Sequence, residues 1–365
     1  MARTKPIRSI LAQGGQGDGL MAVYGLHALM QIQEGFLSQD ACFYTRTLAT
    51  PLVQALLPEI RADSLSESQG APRPRYHTSS KTSWTTVFRN RYSGDFYHDF
   101  AQRRRLASYG YPRPGFFERM LQRWADETMA AGTRWHRETP VYYGHKMWAP
   151  LAEAWDCTEI DLMRGHFLSY PVLAGRMHSL AVASPLPPEC PEDLDLAIFP
   201  SGASFQFLPP AFLRDLTEQA GLSPERFRCF FAPKDPLRRE FEEAGLPCVT
   251  TPSLESILGV VGHARVTATC DSFVSHVAQL GANIHLAFMS HDLPVHTLHP
   301  AAASLVIFHP LGCCPCHYRN RTQQERCFAN STTCKVFSEA DYLRQGVQAL
   351  QETLGCSPSQ PITAS

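Results

Sequence analysis

The sequence predicts an α/β protein with two domains, each built on a mainly parallel sheet covered by helices. Short apolar runs typical of strands alternate with helical patterns in both halves of the chain. The proline-rich segment 184–193 separates the halves, because so many prolines cannot continue a helix or a central strand. At 365 residues the chain is also too long for one ordinary core. Two such domains in series would form a cleft lined by loops at the carboxyl ends of their strands.

The spacing of apolar residues predicts the elements in order. In the first half we expect strands at 7–13 and 41–45, helices from 20, at 50–60 and at 114–131, and a glycine-rich loop at 14–19. In the second half we expect strands at 194–199, 227–231, 248–250, 266–269, 284–288 and 305–309. Helices are expected at 210–220, 236–244, 254–261, from 273, and at 337–354.

These elements define the predicted domains. They are a first domain at 1–183 with an insertion around 63–110, a linker at 184–193, a second domain at 194–336 with a cysteine-rich loop at 313–334, and a carboxy-terminal helix and tail at 337–365. The insertion mixes arginines with tyrosines and phenylalanines. Two interpretations of it stay open: a solvated helical face, or a wall that binds an anionic or carbohydrate acceptor.

Composition excludes several classes of protein. A formal net charge of -1 argues against a general nucleic-acid-binding protein, and 44% hydrophobic with 18% charged residues is typical of a globular chain. We find no signal peptide and no membrane span, so we expect a cytoplasmic protein, with a peripheral position at the inner membrane left open. In that compartment the 12 cysteines should stay mostly reduced, and a tight cluster of them favours a metal over disulfides.

The most informative stretch is 265–281, where a β-branched run ends at Cys270-Asp271-Ser272 and a helical pattern begins. Asp271 or Ser272 is a natural N-cap. The first turn of such a helix offers unpaired N–H groups and a positive dipole end, which can hold an anion such as a phosphate. The alternative is an ordinary strand-to-helix turn.

Asp18 lies in the glycine-rich loop of the first domain. Its carboxylate could act as a general base on a hydroxyl, or it could simply cap the helix that follows. The loop matches neither the dinucleotide fingerprint nor a P-loop, because it lacks the final Gly or Ala of the first and the Gly-Lys-Ser/Thr end of the second.

A cysteine cluster predicts a structural zinc or iron site. Its candidate ligands are Cys313, Cys316, Cys327 and Cys334, with Cys314 and His317 as substitutes. Three histidines, His291, His296 and His299, follow the 284–288 strand with irregular spacing and intervening prolines. For these a polar cleft loop is a better interpretation than a metal site.

The segment 271–281 resembles the Asp-Thr/Ser-Gly-x-x-His-x-Ala-x-x-Leu-Gly motif of the heptosyltransferases, glycosyltransferase family 9. Gly17-Asp18 resembles that family's Gly-Asp motif, and Pro315-Cys316 resembles its Pro-Cys pair. The resemblance implies a GT-B fold of two Rossmann-like domains, with a carboxy-terminal helix that returns to the first domain. It also implies an inverting reaction without a catalytic divalent metal.

The resemblance further implies roles for individual residues. Asp18 would be the general base, with Gly15, Gln16, Gly17 and Gly19 forming its loop. The donor would be held by Ser201, Gly202, Ser204, Gln206, Lys234, Asp271, Ser272, Ser275 and His276. The sequence departs from the pattern of that family at two positions. Phe273 replaces the usual glycine, and Gln206 lies near the position of a common lysine. The cysteine loop is similar to that of autotransporter heptosyltransferases, which favours a protein or small-molecule acceptor over lipopolysaccharide.

The leading hypothesis is therefore a transferase that moves a sugar, with heptose a candidate, from a nucleotide-diphosphate sugar such as ADP-heptose. The acceptor hydroxyl would belong to a protein, glycan or small molecule, with no nucleic-acid partner, and a homo-oligomer stays open. A sugar-nucleotide epimerase and an inactive, metal-stapled binding module are the alternatives.

Overall fold

The computed structural model describes residues 7–11, 16–35, 37–45, 49–64, 142, 156–202, 207–290, 292–311 and 333–355. They form two compact units. The first contains the described residues up to Arg176 together with Val295–Ala301, and the second contains Met177–Pro294 and the residues from Ala302 onward. All strand pairs in both units are parallel, so the predicted α/β class is confirmed.

The described residues of the first unit form a three-stranded sheet in the order β1-β2-β3. The strands are β1 (Ile7–Leu11), β2 (Leu37–Thr45) and β3 (Arg61–Ser64), and the helices are α1 (Gln16–Ile32), α2 (Thr50–Leu56) and α3 (Glu159–Ala183), the last continuing into the second unit. Residues 20–29 of α1 are all buried, so the middle of this helix has no solvent-exposed face. It approaches α3 so closely that a Cβ at Gly165 would overlap the Ala28 carbonyl oxygen.

The second unit holds a six-stranded sheet in the order β6-β5-β4-β7-β8-β9. The chain starts in the middle of the sheet, runs outward to one edge, returns beside its first strand and runs to the other edge. This is the order of a doubly wound dinucleotide-binding sheet, and its switch point lies between β4 and β7. The strands are β4 (Leu196–Phe199), β5 (Phe227–Phe231), β6 (Cys248–Thr250), β7 (Val266–Thr269), β8 (His285–Met289) and β9 (Leu305–Phe308).

Helices cover this second sheet. They are α4 (Pro210–Gln219), α5 (Arg238–Glu243), α6 (Leu254–His263), α7 (Phe273–Gly281), and α9 (Ala340–Leu354) after a 3-10 turn at Lys335–Ser338. The short α8 (Pro294–Thr297) lies in the first unit except for its first residue. α9 packs its apolar face on α4 and the sheet, where Tyr342 is fully buried beside Phe212 and Phe288. α9 therefore belongs to the second unit, and the implied return of the carboxy-terminal helix to the first domain stays a prediction.

Several local predictions differ from the structure. α1 begins at Gln16, inside the predicted loop 14–19, because burial of the helix outweighs the low helix propensity of its glycines. α3 was not predicted at all, since Pro171 interrupts its pattern and Phe167, Leu168 and Val172 are exposed apolar residues.

The two compact units divide before the predicted linker at 184–193, whose role as a domain boundary stays a prediction. The division falls inside α3, between Arg176 and Met177, so the proline-rich segment belongs to the second unit. That segment packs closely on α6, since a Cβ at Gly259 would lie 2.7 Å from the Pro185 carbonyl carbon. Among the residues described, no helix combines the length and apolar character needed to cross a bilayer.

Candidate functional site

The candidate site lies at the switch point of the second sheet. Phe199 and Thr269, the last residues of β4 and β7, are register partners. The two loops that follow therefore leave the sheet side by side, one carrying Ser201 and Gly202 and the other Asp271 and Ser272. In open parallel sheets, this crevice is where ligands bind.

Two buried hydroxyls at this crevice lack an oxygen or nitrogen partner among the described residues. Ser201 Oγ and Ser272 Oγ are both inaccessible to solvent, and neither has a hydrogen bond to an oxygen or nitrogen atom of the described residues. Ser272 is the N-cap of α7, with extended backbone dihedrals, yet its side chain does not cap the helix. Two hydroxyl donors beside a helix amino terminus match the needs of an anionic oxygen.

The first turn of α7 confirms the predicted strand, turn and helix. The Ser275 N–H donates to the Ser272 carbonyl at 3.1 Å, and the Ser275 side chain is buried, whereas Asp271 is half-buried. Phe273 is not among the described residues with a positive φ. Its helical backbone is open to any residue, so a phenylalanine strains nothing in the main chain here.

His276 is buried on α7 and is oriented by Gln279. The Gln279 side-chain amide lies 3.5 Å from the Ser275 carbonyl and 3.2 Å from His276 Nδ1. An amide nitrogen can only donate, so Nδ1 accepts in this contact, and a neutral His276 ring carries its proton on Nε2. Nε2–H is then a donor.

Lys234, in the loop after β5, has an unusual backbone. Its φ of 63° lies in the left-handed region, which non-glycine residues adopt rarely. The turn around it is closed by the Asp235 N–H, which donates to the Ala232 carbonyl at 3.1 Å, and Asp235 Oδ1 accepts from the Leu237 N–H at 3.0 Å. Since β5 is next to β4, this exposed lysine follows a strand adjacent to the switch point.

The predicted loop of the general base lies in the first unit. Gln16, Gly17, Asp18 and Gly19 form the first turn of α1, where the first two are half-buried and Gly19 is buried. The side chain of Asp18 lies outside the described residues, as do Gly15, Ser204 and Gln206. The predicted helix 114–131 and most of the insertion 63–110 also lie there.

Of the predicted metal ligands, only Cys334 is described. Its side chain is 5% exposed in the core of the second unit, and its thiol donates to the Ser290 carbonyl at 3.7 Å. Cys313, Cys316 and Cys327 lie outside the described residues, and within the described ones no group of three or more His, Cys, Asp or Glu could hold a metal.

Two histidines of the predicted polar loop are buried. His296 and His299 are buried, and His299 packs in the first unit among Tyr24, His166 and Tyr170, with ring centroids 5.1–5.9 Å apart. The Ala301 N–H donates to His299 Nδ1 at 3.2 Å, and burial lowers the pKa of His299 to about 3. His291 lies outside the described residues.

Two features of the second unit were missed by sequence reasoning. A buried hydrogen-bonded series runs from Thr269 through His285 to Ser304, and the Cys270 thiol reaches the loop after β4. The available signal was positional, since Thr269 and Cys270 directly precede the N-cap, but nothing in the local pattern identifies their partners.

No family model and no curated protein matches the sequence. Among solved structures, the chain is similar to E. coli ADP-heptose LPS heptosyltransferase II, at 13% identity over 94% of this chain and 99% of that chain, with a TM-score of 0.46. It is similar to E. coli heptosyltransferase WaaC with ADP, at 12% identity, 83% and 93% coverage and a TM-score of 0.45. It is also similar to a glycosyl transferase family 9 protein from Veillonella parvula DSM 2008, at 10% identity, 97% and 98% coverage and a TM-score of 0.47.

Proposed function

We propose that the protein is an inverting glycosyltransferase that uses a nucleotide-diphosphate sugar, with ADP-heptose as a candidate donor. The observation that carries the proposal is the pair of buried hydroxyls, Ser201 Oγ and Ser272 Oγ, beside the amino terminus of α7 at the switch point. A diphosphate supplies the acceptor oxygens that these hydroxyls and the N–H groups of the helix require.

The donor site is proposed to extend along both loops. The backbone at Ser201-Gly202 and the first turn of α7 bind the diphosphate, and Asp271 binds sugar hydroxyls. His276, with its proton on Nε2, donates to the donor, and Lys234 contributes a positive charge from the loop after β5. The hydrogen-bond donors among these groups form charge-assisted hydrogen bonds to the diphosphate. Its negative charge increases as it leaves.

Asp18 is proposed as the general base. The acceptor oxygen attacks the anomeric carbon, its proton passes to the Asp18 carboxylate, and the bond from the anomeric carbon to the diphosphate oxygen breaks with inversion. The hydroxyls and helix amino terminus at the donor site stabilise the departing diphosphate, so no divalent metal is needed in the step. Proteins, glycans and small molecules with a hydroxyl are the candidate acceptors.

Binding and turnover test the proposal separately. Calorimetry with ADP, UDP and GDP should show binding of at least one of them to the full chain, unaffected by EDTA. Release of the nucleoside diphosphate from its sugar should require an acceptor. Asp18→Asn should keep nucleotide binding while transfer falls by at least about 100-fold, because it removes the proton acceptor.

The alternatives give different results in the same assays. An epimerase would convert the donor sugar without any acceptor. An inactive binding module would release no diphosphate with any acceptor, and failure to bind all three nucleotides would overturn the donor site itself.

A structural zinc or iron in the cysteine loop is also proposed, as a support for the fold and not for the reaction. The proposed ligands are Cys313, Cys316, Cys327 and Cys334, with Cys314 and His317 as substitutes. On binding metal, the Cys334 thiol would give up its hydrogen bond to the Ser290 carbonyl. Elemental analysis of the purified chain should find about one metal ion per chain. Its loss in both Cys316→Ser and Cys334→Ser would support this ligand set, whereas retention in Cys334→Ser would favour a substitute as the fourth ligand.

A further inference from the structure

A buried cysteine, Cys270, lies between β7 and the proposed donor loop. Cys270 is 3% exposed and immediately precedes Asp271 and Ser272. Its Sγ lies 3.5 Å from the Pro200 carbonyl oxygen and 4.0 Å from the Phe199 carbonyl oxygen. The thiol therefore reaches from the loop after β7 to the loop after β4.

The chemistry of the thiol suits a hydrogen-bond donor. Burial raises the pKa of Cys270 far above its ordinary value, with the nearby Asp271 carboxylate acting in the same direction. The Ser272 hydroxyl offsets this only in part. The side chain is therefore a protonated thiol at neutral pH, and its S–H is available to a carbonyl oxygen.

The two loops joined by this contact are those that carry the buried hydroxyls. Pro200 directly precedes Ser201, and its carbonyl also accepts the Leu208 N–H at 2.9 Å, so that carbonyl is held from two sides. Cys270 lies two residues before Ser272 in the other loop. A thiol that ties Pro200 to Cys270 thus sets the spacing between Ser201 Oγ and Ser272 Oγ, the two groups that would share one diphosphate.

We propose that Cys270 is a positioning residue that holds the loops after β4 and β7 at the spacing a nucleoside diphosphate requires. This inference rests on the proposed function. Cys270 does not touch the ligand, and it acts through the Pro200 carbonyl on one side and the peptide leading to Ser272 on the other. Substitution of Cys270 should therefore lower the affinity for the nucleoside diphosphate, in addition to any effect on the stability of the fold.

The test is calorimetric titration of ADP, UDP and GDP into full-length wild type, Cys270→Ala and Cys270→Ser. Cys270→Ala loses the donor and should weaken binding about 3- to 10-fold, as expected for one hydrogen bond. Cys270→Ser keeps a donor and should recover a large part of the affinity. Cys229→Ala is the matched control, because Cys229 is a fully buried cysteine on β5 and no proposed ligand contact involves it.

The outcomes separate the two proposals. Absence of nucleotide binding by wild type would overturn the proposed function and this inference together. Wild-type binding with equal affinity in Cys270→Ala would overturn the inference alone, as would an equal loss in Cys229→Ala, since that would reflect core packing. If Cys270→Ala does not fold, Cys270→Val replaces it, because valine fills the space without a donor and should show the same loss.

Discussion

Thr269 Oγ1 lies 2.9 Å from His285 Nε2, and both side chains are buried in the second unit. The other ring nitrogen, Nδ1, lies 2.8 Å from Ser304 Oγ. Both nitrogens of the neutral ring thus have a hydroxyl partner. Burial, together with the nearby His276, lowers the pKa of His285 to about 3.

The stability of the chain should therefore fall in mild acid. In the unfolded chain a histidine takes up a proton near pH 6.5, whereas folded His285 does so only near pH 3. The contribution of His285 to the free energy of unfolding is complete above about pH 6.5. It is lost as the pH falls below that value, because the unfolded state then binds the extra proton. At pH 5 we expect His285 alone to cost about 2 kcal/mol of unfolding free energy.

Urea denaturation at pH 7.5 and pH 5.0 measures this loss. His285→Gln should show a smaller difference between the two pH values than wild type, although it is less stable at pH 7.5. His178→Gln, at an exposed position of α3, is the control and should behave as wild type. An unchanged pH dependence in His285→Gln would contradict the prediction.

Two N-cap serines should respond differently to alanine. Ser253 caps α6, since its Oγ accepts the Ser256 N–H at 3.2 Å, whereas Ser272 does not cap α7. Ser253→Ala should cost about 1 kcal/mol of stability and leave nucleotide affinity unchanged. Ser272→Ala should change stability little and weaken binding of the diphosphate about 3- to 10-fold. Denaturation measures the stability of both variants, and calorimetry measures their affinity for the nucleotide. A reversed pattern would count against the proposed donor site.

Two helical glycines should give opposite effects on substitution by alanine. At Gly259 a Cβ would lie 3.0 Å from the Ser184 carbonyl oxygen and closer still to the Pro185 carbonyl, which is backbone that cannot easily move. At Gly175 a Cβ would meet no described atom within 4 Å. Gly259→Ala should therefore destabilise the fold by at least about 2 kcal/mol. Gly175→Ala should stabilise it by about 0.5–1 kcal/mol, since alanine favours the helix.

Thermal or urea denaturation of the two variants checks this pair. Equal effects of the same sign would show that the packing of segment 184–193 on α6 is loose.

An ion-pair network centred on a buried carboxylate should be sensitive to the loss of that carboxylate. Asp195 is 8% exposed and accepts from Arg226 Nε at 2.5 Å and from an Arg265 guanidinium nitrogen at 2.9 Å. Asp195→Ala should cost about 1–3 kcal/mol, because both arginines lose their hydrogen bonds to this carboxylate. Arg265→Ala should cost less than about 1 kcal/mol, since that side chain is more than half exposed. Denaturation curves at low and high salt measure the stability lost in the two variants. A larger loss in Arg265→Ala than in Asp195→Ala would contradict the prediction.

Local pattern was sufficient for most elements of the second unit. The strands at 227–231, 248–250 and 266–269 were predicted with their observed bounds, because each is a short apolar or β-branched run between turn residues. α3 was missed because its exposed face is as apolar as its buried face, so periodicity gave no signal. The amphipathic pattern of α9 showed that the helix packs on other elements but not on which ones, so its contact with Phe212 and Phe288 was not predicted.

The sequence by itself determined that the chain is α/β and that a strand, a polar turn and a helix meet at Asp271-Ser272, since both depend on neighbours along the chain. Only the tertiary structure decided that β4 lies beside β7, which brings Ser201 to Ser272 and places Cys270 against the Pro200 carbonyl. It also placed His299 in the core of the first unit. Strand order depends on long-range pairing, and the placement of a residue such as His299 in a core depends on long-range burial. Local periodicity reports neither of them.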